Sequence, residues 1–275
     1  MTVSEGRIHE KGERTMEPRW DECEMMAVRR FMAAEGQWVE DTKPTSIEQL
    51  LRIELNGEII GESLCSPGDR LDLAVGQLAQ RGRLQRAADI VRLQVADGTV
   101  RVETTAWAKA RARRAGKDPR FYSLSRLRTW QGRAEAADTV HVEAVKALQT
   151  ANMLLGEMAA THERTNGVHS GVIYDPGRDR ILVFREDVGR HNVFDKLYGW
   201  AVRQDIMLAD KLIVFSGRCS TEMMLKLWRM DCRMVLAKSV PTTLSLELAD
   251  KLGITLMARL TRDGFSVYTH SERVL

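Results

Sequence analysis

Two short stretches carry most of the chemistry-bearing side chains. The first is Glu186-Asp187-Val188-Gly189-Arg190-His191-Asn192 and the second is Ser216-Gly217-Arg218-Cys219-Ser220-Thr221-Glu222. Each follows a four-residue apolar run, Ile181–Phe184 and Leu212–Phe215, and each leads into helical periodicity. Both read as strand–turn–helix units, and the carboxyl end of a strand feeding a helix start is where open α/β sheets bind ligands. Arg190 and Arg218 each offer a planar fork of donors suited to phosphate or carboxylate. His191 is placed to hold an anion or move a proton, and Ser216 and Gly217 complete the second turn. A third turn of this kind is expected at Ser239-Val240-Pro241-Thr242-Thr243. Internal pairing of Glu186 and Asp187 with the arginines is the competing explanation for a single such turn; two in succession favour a site.

Other chemistries are excluded by pattern. There is no P-loop and no G-x-G-x-x-G. His141-Val142-Glu143 satisfies the H-x-E half of a zinc deaminase signature, but no Pro-Cys-x-x-Cys follows, and His141 is expected on a helix as a surface or cap residue. The four cysteines, Cys23, Cys65, Cys219 and Cys232, form no Cys-x-x-Cys, so neither a disulfide framework nor a metal knuckle is expected. No Ser/His/Asp order or nucleophile elbow is present.

The elements that position these residues follow from periodicity. Trp20, Cys23, Ala27, Phe31 and Ala34 recur at helical spacing, so residues 1–43 are expected to form an added, helical segment. Residues 44–106 read as a small α+β unit. It has a hairpin at Asn56-Gly57, a helix over Leu71–Ala79 capped by Asp69, and a second hairpin at Asp97-Gly98. Residues 107–134 are a basic stretch in which nine Lys and Arg face Asp118, with Trp107, Phe121, Tyr122 and Trp130 interleaved. Two readings stand for it: a solvated linker, or a loop that binds phosphates and stacks on a base. Residues 135–275 alternate helices and strands, starting with a long helix capped by Asp138 or Thr139. Ser220 is expected to cap the helix Glu222–Met230, and Pro241 to open the helix that runs to Gly253. This implies an α/β fold with a layered, mainly parallel, helix-covered sheet.

Bulk properties agree. The 275 residues are 44% hydrophobic and 29% charged, which is enough for one large or two modest domains with a real core. A net charge of +3 is too small to imply nucleic acid, and the basic cluster is local. No apolar run approaches the roughly 20 residues of a membrane span. The first residues lack an apolar signal core, so a cytoplasmic protein with reduced thiols is expected.

The same turns resemble a known family. Residues 184–197, Ser216–Met223, Ser239–Leu244, Gly253–Leu256 and Phe265–His270 resemble, in this order, the segments of the formate dehydrogenase accessory proteins called FdhD. Gly167–Gly171, Leu55-Asn56-Gly57 and Ser66-Pro67-Gly68-Asp69 fit further parts of that pattern, so the resemblance runs from about Leu50 to the end. It implies a cytidine-deaminase-like larger domain without deaminase chemistry, and a homodimer. It also implies transfer of persulfide sulfur from a cysteine desulfurase to the molybdenum bis-guanine-dinucleotide cofactor before insertion into apo formate dehydrogenase. The family's cofactor-binding segment falls on Phe265, Ser266, Val267, Tyr268, Thr269 and His270, and GDP is a fragment mimic of that cofactor.

One departure bears on chemistry. The family carries sulfur on a Cys-x-x-Cys pair in the interdomain loop. The corresponding stretch here, Phe121–Arg128, contains no cysteine, and serine lacks the thiolate that persulfide chemistry needs. Cys219, near a helix start, is the best substitute thiol that the sequence offers, and the competing reading of it is a buried, inert cysteine. The alternative is a non-catalytic cofactor- or nucleotide-binding chaperone of a molybdoenzyme.

Overall fold

The computed structural model describes residues 22–114, 118, 120, 123–129 and 140–275. Asp138 and Thr139, proposed as helix caps, lie outside the described residues, as do Phe121, Tyr122 and Trp130.

The chain begins with a surprise for sequence reading. Where a helix was expected over the first segment, β1 (Cys23–Met32) and β2 (Gln37–Ser46) form an antiparallel hairpin, paired from Cys23↔Ser46 to Met32↔Gln37. Gly36, at φ +64°, closes the turn, and Glu35 N–H donates to the Met32 carbonyl at 3.1 Å. The apolar residues at helical spacing serve a strand instead: Phe31 lies opposite Trp38 with ring centroids 5.3 Å apart. Cross-strand aromatic pairing overrides a weak helical period.

The small unit follows. β3 (Gln49–Leu55) and β4 (Glu58–Cys65) form the hairpin expected at Asn56-Gly57, and β5 (Ile90–Ala96) and β6 (Thr99–Thr104) the one at Asp97-Gly98. All four turn residues have positive φ, the requirement of a type I′ turn. The sheet order is β4-β3-β6-β5, with β3 and β6 parallel. Helix α1 (Arg70–Gln80) covers it, burying Leu73, Ala74, Val75 and Leu78 against Leu51, Ile53, Val100 and Val102. Asp69 does not cap α1 with its side chain. It adopts a left-handed backbone, and its carboxylate faces Arg185 at 3.5 Å.

Part of the basic stretch is ordered by contact with the body. It contains α2 (Ala106–Ala112), capped by Thr105, and α3 (Leu124–Thr129). Leu127 is fully buried in the large core, and Lys251 donates to the Leu127 carbonyl at 2.9 Å.

The long helix is broken. It runs as α4 (Ala144–Met153), a wide turn over Leu154–Met158, and α5 (Ala160–Thr165), which ends at left-handed Asn166. His141 precedes it rather than lying on it, beside Val142, which bridges to Val274.

The large sheet contains β7 (His169–Asp175), β8 (Arg180–Asp187), β9 (Leu212–Phe215), β10 (Met234–Ala237), β11 (Thr255–Thr261) and β12 (Gly264–Val267), in the order β12-β11-β10-β9-β7-β8. Its centre, β9-β10-β11, is parallel, while β7, β8 and β12 pair antiparallel, so the α/β sheet is mixed around a parallel core. Alternate residues feed two cores. Ile213 and Phe215 pack with α6 (Arg190–Arg203), α7 (Thr221–Arg229) and α8 (Thr243–Lys251) on one face, and Leu212 and Val214 pack with α4 on the other. Thr242, rather than Pro241, starts α8, in a reciprocal capping pair with Ser245.

Helix α6 joins the two units. It lies between the large sheet and α1, and the helices touch through glycine. A Cβ on Gly76 would sit 1.7 Å from the Asp195 carbonyl oxygen, and one on Gly199 would sit 1.8 Å from that of Asp72. The same crossing is fastened by Asp72, which accepts from Arg185 (2.6 Å) and Arg203 (2.5 Å). Among the described residues, no helix is long and apolar enough to cross a membrane.

Candidate functional site

Strands β8, β9, β10 and β11 point the same way, so the turns after Asp187, Phe215 and Ala237 share one edge. Strand β7 runs oppositely and starts at that edge, which brings His169 opposite Asp187. The edge therefore collects His169, Arg190, His191, Ser216, Gly217 and Arg218. His169 was not anticipated as a member; its place opposite Asp187 depends on the antiparallel pairing of β7, which periodicity does not reveal.

The turn before α6 is held from below. Asp187 is fully buried and accepts from Gly189 N–H and Asn192 Nδ2 (both 2.8 Å), Ser66 N–H (3.2 Å) and Lys196 Nζ (2.7 Å). Ser66 Oγ accepts from Val188 N–H at 3.0 Å, and Asn192 Nδ2 also donates to the Leu64 carbonyl at 2.8 Å. The small unit is thus bonded directly to the turn that presents Arg190. In the second turn, Ser216 Oγ accepts from Ser170 N–H at 2.8 Å, and Ser216 N–H donates to the Ser170 carbonyl at 2.9 Å.

The glycines of both turns are required by the protein's own packing. A Cβ on Gly189 would meet Asn192 Nδ2 at 2.9 Å, and one on Gly217 would meet the Phe215 ring at 2.6 Å. Close approach to a ligand is not needed to explain them.

The arginines behave differently. Neither Arg190 nor Arg218 donates to an acceptor among the described residues, and Arg218 is exposed. Asp187, offered by sequence as an internal partner, is engaged elsewhere: Lys196 bonds its carboxylate and also the Glu186 main-chain carbonyl. Arg190 brings positive charge to the edge, and His169 registers it. Burial first, then the Arg190 charge, hold the His169 pKa below its ordinary 6.5. Burial and the Lys226 ammonium do the same to His191, against the opposing pull of Glu222 at 3.3 Å.

The segment 265–270 is only partly at this edge. Ser266 pairs with Ala258, one residue past the β10–β11 register, while Phe265 and Val267 pack on the α4 core. Tyr268 N–H bonds the Leu256 carbonyl, and Thr269 Oγ1 donates to that of Ile254. His270 reaches the Asp250 carbonyl at 3.1 Å, so Thr269 and His270 lie at the opposite end of the strands. Three strand spacings, roughly 14 Å, separate β12 from β9, whose end carries Arg218.

The sequence offered Cys219 as a substitute thiol; the structure buries it completely. Loss of hydration pushes its pKa up to about 12, the reverse of activation. Cys232 is likewise raised to about 12 and Cys65 to about 11, both first by burial, which leaves Cys23 as the one cysteine that is not buried. Ser220 takes the N-cap position of α7, yet its side chain makes no cap bond and Oγ is buried without a partner. Among the described residues, no group of three or more His, Cys, Asp or Glu is set to hold a metal ion.

Comparison with known proteins places this geometry. The FdhD/NarQ family pattern matches residues 46–275. The chain belongs to the FdhD/NarQ family. It is 36% identical over 257 residues to the sulfur carrier protein FdhD of Geobacillus kaustophilus, covering 87% of this chain and 93% of that protein. It is 32% identical over 253 residues to the protein of the same name from Staphylococcus haemolyticus, with 87% and 93% covered. The crystal structure of a putative formate dehydrogenase accessory protein from Desulfotalea psychrophila superposes with a TM-score of 0.74 at 23% identity, over 92% of this chain and 99% of that one. That likeness establishes the FdhD/NarQ fold, from the small α+β unit to the mixed sheet.

Proposed function

We propose that this FdhD/NarQ-family protein serves formate dehydrogenase maturation by holding the molybdenum bis-guanine-dinucleotide cofactor as cargo. Anionic groups of the cofactor would lie at the edge formed by Arg190, His191, Ser216, Gly217 and Arg218. The observation that carries this reading is the pair of guanidinium groups without described acceptors, on turns fixed from beneath by buried bonds. Such preorganised forks suit phosphate oxygens. His169, kept neutral beside Arg190, can donate or accept one hydrogen bond without repelling a cationic neighbour. Ser266 and its flanking residues on β12 would meet a second part of so extended a ligand. The cofactor itself supplies the metal and its dithiolene sulfur; the chain supplies recognition and shielding.

Of the two forms of this function, the one without a persulfide-bearing Cys-x-x-Cys has support here. The loop 121–128 has no cysteine, and Cys65, Cys219 and Cys232 are buried with raised pKa values. Transfer of sulfur from a cysteine desulfurase remains a second reading, favoured by the relatives' name as sulfur carriers and by the accessibility of Cys23. A homodimer and apo formate dehydrogenase are the partners that the reading entails. In cells lacking the native gene, the wild-type chain should restore formate dehydrogenase activity, and a variant with Arg190→Ala and Arg218→Ala should not, at equal protein level. Full restoration by the double variant would remove the edge from the account.

A further inference from the structure

A second cleft, about 460 Å³, opens between the small unit and the large one, with walls from β4, α1, α6 and α7. That is within the size range of small-molecule sites. Its charge is unbalanced. Buried Asp195, on α6, feels the Lys226 and Arg81 charges and takes a short hydrogen bond from Lys226 Nζ. Arg229 gives its Nε to the Arg120 carbonyl at 3.1 Å, while its two terminal nitrogens have no acceptor among the described residues. Arg81 has no acceptor among them either, and it lies over Gly61, whose missing side chain leaves the guanidinium room. The remaining acid, Glu222, stands at the mouth beside His191 and is 73% exposed.

Gln80, which lines the same cleft, is only 6% exposed; its Nε2 reaches the Lys226 carbonyl at 3.4 Å, and its Oε1 is buried with no donor. Buried acceptors are ordinarily satisfied. An occupant would have to give acceptors to two guanidinium groups. A phosphoryl group does so, because its three anionic oxygens can serve both planar forks at once, where a carboxylate offers two.

We propose that this cleft binds the phosphoryl group of a phosphorylated small molecule, with its anionic oxygens on Arg81 and Arg229. The inference does not rest on Arg190 or Arg218; His191 is the residue that the cleft and that edge share. The phosphoryl group could belong to a simple monoester or to a nucleotide. Calorimetry on the full chain with inorganic phosphate, O-phosphoserine and GDP, against chloride at equal ionic strength, separates them. Phosphate is expected to bind saturably, and Arg81→Gln, at an exposed residue with no described partner, to weaken it at least tenfold with unchanged circular dichroism. If GDP competes with phosphate and also depends on Arg81, the source is a nucleotide; if GDP ignores Arg81→Gln, it is a monoester. Absence of saturable phosphate binding, or equal affinity in Arg81→Gln, overturns the proposal.

Discussion

Asp187 and Lys196 form a 2.7 Å ion pair in which both side chains are completely buried. The pair sits under the Arg190 turn and is closed by further bonds from Ser66, Gly189 and Asn192 to the carboxylate. Buried charge is tolerable only when so fully satisfied. Lys196→Met would strand the Asp187 carboxylate, and a loss of about 3–5 kcal/mol is expected. Urea denaturation monitored by circular dichroism measures it; a change within 1 kcal/mol or so would show that the pair is not the keystone of the turn.

The glycine crossing of α1 and α6 makes a second prediction. Gly76→Ala or Gly199→Ala would drive a methyl into backbone carbonyl oxygens, which only separation of the helices can relieve. Destabilisation near the upper end of overpacking, about 3 kcal/mol, is expected. Because the crossing seats the small unit on the large one, protease susceptibility between residues 104 and 144 should rise in parallel.

Sequence reading recovered most of this frame for identifiable reasons. Asn56-Gly57 and Asp97-Gly98 were legible because few residue pairs adopt two successive positive φ values. Helix α7 was legible because Met223, Met224 and Leu227 all turn to one core. The hairpin Cys23–Ser46 was not, since Phe31 and Trp38 stabilise each other only once paired and the spacing around Ala27 mimics a helix. Nor was the buried polar face of α6: nothing in the local pattern marks Asn192, Asp195 and Lys196 as buried, and only the approach of α1 and β4 encloses them. The position of Arg190, His191, Ser216 and Arg218 at one sheet edge was legible because strand–turn–helix grammar places them there. The dispersal of Phe265–His270 along β12 required the register with β11.

The thiols give a chemical test. Native protein treated with iodoacetamide should be alkylated at Cys23, while Cys65, Cys219 and Cys232 should react only after unfolding, since burial raises their pKa values. Peptide mass spectrometry locates the adducts. Rapid native modification of Cys219 would show that its turn opens and would return it to consideration as a sulfur carrier.

Histidine titration provides a pH signature. His169 and His191 both have folded pKa values below 6.5, so the unfolded chain binds more protons as the solution is acidified. Their contribution to stability is intact above pH 6.5 and is lost as pH falls through 6.5 toward the depressed folded values. NMR titration of His169 should give a pKa below 6.5. Arg190→Gln, which removes a charge that lowers it, should raise it; an unchanged value would mean that Arg190 does not face His169.

The central claim, that the Arg190–Arg218 edge recognises the guanine-dinucleotide cargo, is tested most directly by calorimetric titration of GDP into the full chain at low salt. Wild type is expected to bind. Arg190→Ala combined with Arg218→Ala is expected to lose at least tenfold in affinity, with Arg81→Gln as the control for the second cleft. Well-folded wild-type protein that takes up no GDP, or a double variant that binds as tightly as wild type, would contradict it.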